Sequence, residues 1–104
     1  EQGKIEEAID EFKRVTDVQD GNEEAHTALG EAYFDSNRNT LALKHLKRAL
    51  AINHKNGRAL IVLGNIYQVE GQADKAREAY QAYLQTDPKG EHVNDVKLIL
   101  RTLR

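Results

Sequence analysis

The side chains with most scope for chemistry are four histidines, at positions 26, 45, 54 and 92, and a short acidic run, Asp17-Val18-Gln19-Asp20-Gly21-Asn22. Two histidines of one helix reach a common metal only when they leave the same face, four residues apart, and no pair here has that spacing. They read as ordinary helix or turn residues. The acidic run has the outline of a calcium loop but lacks its alternating oxygen ligands and its closing bidentate glutamate. It reads instead as a turn that ends in a helix N-cap. Ser36 is the single serine, without an organised His/Asp set around it. The glycines fall at turn or crossing positions and build no phosphate cradle. The absence of cysteine excludes disulfides, thiolate zinc sites and cysteine nucleophiles together. No catalytic constellation emerges; the chain is expected to be no enzyme and to need neither cofactor nor metal.

The chain that must position these residues has 104 of them, enough for one compact domain. Apolar residues make up 39% and charged residues 31%, with 15 basic against 17 acidic side chains. That near-cancellation argues against disorder and gives no electrostatic reason to expect nucleic acid as a partner. Lys44, Lys47, Arg48 and Lys55 could form a basic stripe, but acidic residues dominate the neighbouring helix. Opposite charges three and four residues apart read as solvated helix surface. No run approaches the ~18 apolar residues that cross a bilayer, so direct membrane insertion is not expected. The start lacks a signal-peptide layout and a methionine, which suits a piece of a longer chain. Zero cysteine fits a reducing cytosol, the favoured compartment, and a helical periplasmic protein alike.

An internal period organises the sequence. Leu29-Gly30 returns as Leu63-Gly64, and Tyr33 as Tyr67, each 34 residues later. Ala8, Ala42 and Ala76 share the register, as do the large apolar Phe12, Leu46 and Tyr80. Gly3, Asn37 and Gly71 do too, all types that tolerate a left-handed turn. Within each period the apolar residues recur at helical spacing in two runs, and no strand pattern appears. Asp87-Pro88-Lys89-Gly90 ends the second period with turn residues. The expected division is an orphan second helix at 1–22, repeats at 23–56 and 57–90, and an amphipathic capping helix at 91–104.

These residues resemble the tetratricopeptide repeat pattern, W-x2-L-G-x2-Y followed by alanine, an aromatic, alanine and proline. His26, Leu29, Gly30, Tyr33, Ala42, Leu46, Ala49 and His54 stand in its slots in one unit. Leu60, Leu63, Gly64, Tyr67, Ala76, Tyr80, Tyr83 and Pro88 do so in the next. His26 and Leu60 replace the tryptophan, Leu46 the aromatic, Tyr83 the late alanine and His54 the proline. The resemblance implies an all-α, right-handed superhelix of antiparallel helix pairs. Close helix crossing needs small residues, so Gly30 and Gly64 should face Ala42 and Ala76, while Tyr83 must point toward the next helix.

The resemblance also implies a concave groove, lined by the first helix of each pair, that binds a protein or peptide ligand. Slot by slot the candidates are Glu24, Thr27, Glu31, Phe34 and Asp35, then Arg58, Ile61, Asn65, Gln68 and Val69. His92 and Asp95 could add to it from the capping helix. Phe34, Ile61 and Val69 lie off the packing stripe and would form an exposed apolar patch beside two amides. Some members grip a terminal carboxylate with a Lys/Asn/Lys/Arg clamp. Asn65 and Arg58 fit two of those slots, but Thr27, Ala28, Glu31, Ile61 and Val62 fill the others, so the clamp is absent. The expected function is non-catalytic protein–protein interaction, as a scaffold or adaptor segment. The alternative is self-association, a homodimer through Ile5, Ile9, Phe12 and Val15 at the open N-terminal end.

Overall fold

The structure, a computed structural model, describes residues 2–103. Its regular elements are α1 (Gln2–Val18), α2 (Glu23–Asp35), α3 (Asn39–Ile52), α4 (Gly57–Val69), α5 (Ala73–Thr86) and α6 (Val93–Thr102). No strand occurs among the described residues, so the fold is all-α, as the apolar spacing requires. None of these helices is long and apolar enough to cross a membrane.

The period that orders the side chains also orders the backbone. Asn22 and Asn56 precede α2 and α4, and their side chains accept from the N–H of Ala25 at 2.9 Å and of Ala59 at 3.0 Å. Each cap satisfies a donor that a helix start leaves without a partner. Both helices stop at a left-handed residue, Asn37 (φ 63°) and Gly71 (φ 76°). The following N–H groups, of Arg38 and Gln72, reach back to the carbonyls of Tyr33 and Tyr67 at 2.8 Å, which makes each stop a Schellman motif. Gly3 departs from this expectation. It lies within the first turn of α1 and takes no positive φ, since glycine accepts helical backbone where no turn is required.

Two compact units result, Glu1–His54 and Lys55–Arg104. In the first, α2 packs against both α1 and α3. Ile9, Leu29, Tyr33, Ala42, Leu46 and Ala49 are buried there. In the second, α5 packs against α4 and α6 around Leu60, Ile66, Tyr67, Ala76, Tyr80, Tyr83 and Val96. Gly30 and Gly64 do stand at close crossings, but the atoms nearest them belong to Leu46 and Tyr80 rather than to Ala42 and Ala76. A Cβ on Gly30 would lie 2.5 Å from Leu46 Cγ, and one on Gly64 2.6 Å from Tyr80 Cε1. Leu46 and Tyr80 follow the two alanines by one helical turn on the same face, and their bulk reaches the partner helix first.

Tyr83 is buried and does point beyond its own pair. Its ring lies against the start of α4, where a Cβ on Gly57 would come within 3.1 Å. Its hydroxyl accepts from the N–H of His92 at 3.2 Å, in the turn that leads to α6. That turn delays α6 to Val93, two residues later than the pattern suggests. The N–H of Gly90 bonds to Asp87 O and that of Val93 to Gly90 O, two tight turns in succession.

Candidate functional site

In the second unit, α4 carries Arg58, Ile61, Asn65, Gln68 and Val69 along one stripe of its surface. Arg58 and Gln68 are exposed, and Ile61 and Asn65 are half-buried. Val69 is 68% exposed although apolar. The amides are tied down from beneath. The phenol of Tyr80, on α5, donates to Asn65 Oδ1 at 2.6 Å and lies 3.0 Å from Gln68 Oε1. It has one proton for two carbonyl oxygens, so the shorter contact takes it, and the Gln68 amide must turn over to bond as well. Burial pushes the Tyr80 phenol up, which keeps that proton in place across the ordinary pH range. With its oxygen engaged, Asn65 has its NH2 group to offer elsewhere.

In the first unit, α2 carries the other candidates. Glu24 and Asp35 are exposed, and Glu31 and Phe34 are half-buried. Thr27 is a correction: it is 1% exposed, and its hydroxyl donates to the Glu23 carbonyl at 3.0 Å. A hydroxyl that bonds back along its own helix is compatible with burial, so the residue contributes to packing rather than to a surface. On α6, His92 and Asp95 are exposed. On α1, Ile9 is buried, Ile5, Phe12 and Val15 are half-buried, and Val18 is 84% exposed.

One cluster escaped the sequence reading. His26 on α2 and His45 on α3 meet, Nδ1 to Nδ1 at 3.0 Å, and His26 Nε2 lies 2.7 Å from the Asp20 carbonyl. They are 19 residues apart on paired helices, so spacing within one helix could not reveal them. The available signal was His26 itself, a polar residue in a slot that the repeat pattern fills with tryptophan and therefore buries. The pair opens on a pocket lined also by Thr16, Asp17, Asp20, Lys44, Lys47 and Arg48. Among the described residues no group of three or more His, Cys, Asp or Glu could hold a metal ion.

Two family models described as tetratricopeptide repeat match the sequence, one over residues 36–98 and one over residues 1–56. The chain belongs to the tetratricopeptide repeat family. Its capped helix pairs, glycine crossings and 34-residue register are those of the tetratricopeptide repeat pattern. As a member it is a protein-interaction module, of a family that is generally non-catalytic. No curated protein matches it. Among solved structures it is similar to the first tetratricopeptide repeat domain of Spaghetti (RPAP3), bound to the HSP90 peptide SRMEEVD. The TM-score is 0.85 and the identity 24%, over 97% of this chain and 81% of that one. At that identity the likeness is one of fold.

Proposed function

We propose that this tetratricopeptide repeat chain is a non-catalytic scaffold or adaptor segment of a larger protein, and that it takes a peptide or partner helix on the outward face of α4. The observation that carries this reading is on α4, where Val69, 68% exposed, stands beside amides held by the Tyr80 phenol. Pre-oriented amides match the donors and acceptors of a peptide main chain at little entropic cost, and Val69 and Ile61 offer apolar cover for its side chains. On α2, Glu24, Glu31 and Asp35 favour basic or neutral ligand groups over acidic ones. The similar domain holds a peptide ending in Glu-Glu-Val-Asp. This chain lacks most of the cationic clamp that would suit such an acidic end.

Selection from an unbiased displayed-peptide library, with the full chain as bait, tests the reading. Selected peptides are expected to lose at least tenfold in affinity, about 1.4 kcal/mol, on Val69→Glu. SRMEEVD is expected not to saturate the chain up to about 1 mM. Failure to enrich any peptide, or equal binding to Val69→Glu, would sink the proposal. Self-association through α1 is a second reading, favoured by Val18, which is 84% exposed one turn beyond half-buried Val15.

A further inference from the structure

In the first unit the α1–α2 turn, α2 and α3 meet at a row of polar groups in which each proton is placed by its neighbour. The Asp20 main-chain carbonyl can only accept, so His26 Nε2, 2.7 Å away, carries a hydrogen and donates to it. A neutral imidazole then has a bare Nδ1, and the 3.0 Å contact between the two rings is a bond donated by His45 Nδ1–H. His45 Nε2 is left bare. The ring centroids are 5.3 Å apart and the planes differ by 25°. That separation is the nitrogen gap plus two ring radii, so the rings meet end to end and the bond is straight. An ion chelated by the same two nitrogens would bend them toward itself and draw the centroids together. The geometry is that of a shared proton. Tyr33 lies nearly parallel to the His45 ring at 5.6 Å and holds it in this plane.

Charged and titratable groups face the pair from every element around it. They are Lys13 and Asp17 from α1, Asp20 from the turn, Tyr33 from α2, and Lys44, Lys47 and Arg48 from α3. The Asp20 carboxylate accepts from Arg48 at 2.7 Å, a second tie between the turn and α3. Its nearer oxygen to His26 is 3.9 Å from Nε2.

We propose that the Asp20–His26–His45 row is a pH-sensitive latch, which fastens the α1–α2 turn to α2 and α3 while His45 is neutral and loosens it when His45 takes up a proton. A proton on His45 Nε2 leaves the bond to His26 in place but sets a new cation in a half-buried site close to Lys13 and Lys44. Burial above all, then His26, Lys44 and Lys13, lower His45 from 6.5 to about 4. Between those values the unfolded chain binds the proton that the folded chain refuses. The latch therefore contributes fully above pH 6.5, and its contribution is lost as pH falls toward 4.

Imidazole nitrogen NMR on the full chain, with thermal melts from about pH 7 to about pH 5, tests this on the wild type, His45→Gln and His54→Gln. At neutral pH the spectra should show His26 protonated on Nε2 and His45 on Nδ1, with the His45 midpoint below about 5. The wild-type Tm is expected to fall by about 5 °C across that range. His45→Gln, whose amide still donates to His26 but does not titrate, should lose less than half as much, while the exposed His54→Gln should follow the wild type. An ordinary His45 midpoint, the opposite tautomers, or equal losses in wild type and His45→Gln would overturn the latch. Should His45→Gln fail to fold, the wild-type tautomers and midpoint decide alone.

Discussion

Tyr80 shows how one side chain joins packing to surface chemistry. Its ring is buried so tightly that a single added methyl on Gly64 would lie 2.6 Å from it, while its hydroxyl reaches Asn65 at 2.6 Å and so orders the outer face of the same helix. Gly64→Ala is therefore expected to cost roughly 1–3 kcal/mol, because the ring has no free volume into which to retreat. Urea unfolding measures this, and an unchanged midpoint would show that the crossing is looser than the geometry states. Glu6 is the contrasting residue-scale case. Its hydrogen bonds to Gln2 and Arg38 hold its carboxyl below the usual range, but it is exposed, and an exposed pair of this kind contributes little to stability.

Helices here are delimited by local chemistry that repeats. Asparagine caps open α2 and α4 and left-handed residues close them; the cap at Asn22 and the stops at Asn37 and Gly71 were legible in the residue types, and the cap at Asn56 emerged with the structure. Gly3 and Gly71 occupy the same register yet predict opposite responses. A Cβ would meet nothing within 4 Å at either, so only the backbone decides. Gly71→Ala forces an L side chain to φ 76° and should cost about 1–2 kcal/mol. Gly3→Ala exchanges a poor helix former for the best one and should stabilise by up to about 1 kcal/mol, less if the helix start frays. Thermal melts of the two variants that shift in the same direction would refute this assignment. The start of α6 was less legible, because the turns at 87–93 depend on Tyr83 reaching His92, a contact between helices.

At the scale of the molecule, what matters is which apolar surface folding leaves uncovered. Val69 on α4 and Val18 on α1 are the large exposed groups of the two readings, and Leu98 on α6 is 58% exposed as well. Sedimentation velocity at several concentrations separates them. If α1 drives association, a dimer should form and be lost on Val18→Glu, a surface change that leaves the core intact. A monomer at all concentrations would remove the self-association reading and leave peptide recognition standing. The sequence by itself determined the all-α repeat architecture, the first asparagine cap, the stops at Asn37 and Gly71 and the glycine crossings. Each depends on residue type at short range or on a strict period, and such signals survive projection onto one dimension. Tertiary structure alone decided that Thr27 is buried, that Leu46 and Tyr80 press on the glycines, that Tyr80 orders Asn65, and that two histidines 19 residues apart share a proton. Those outcomes depend on how one helix is rotated against the next, which the packing of large side chains settles and a repeat pattern does not encode.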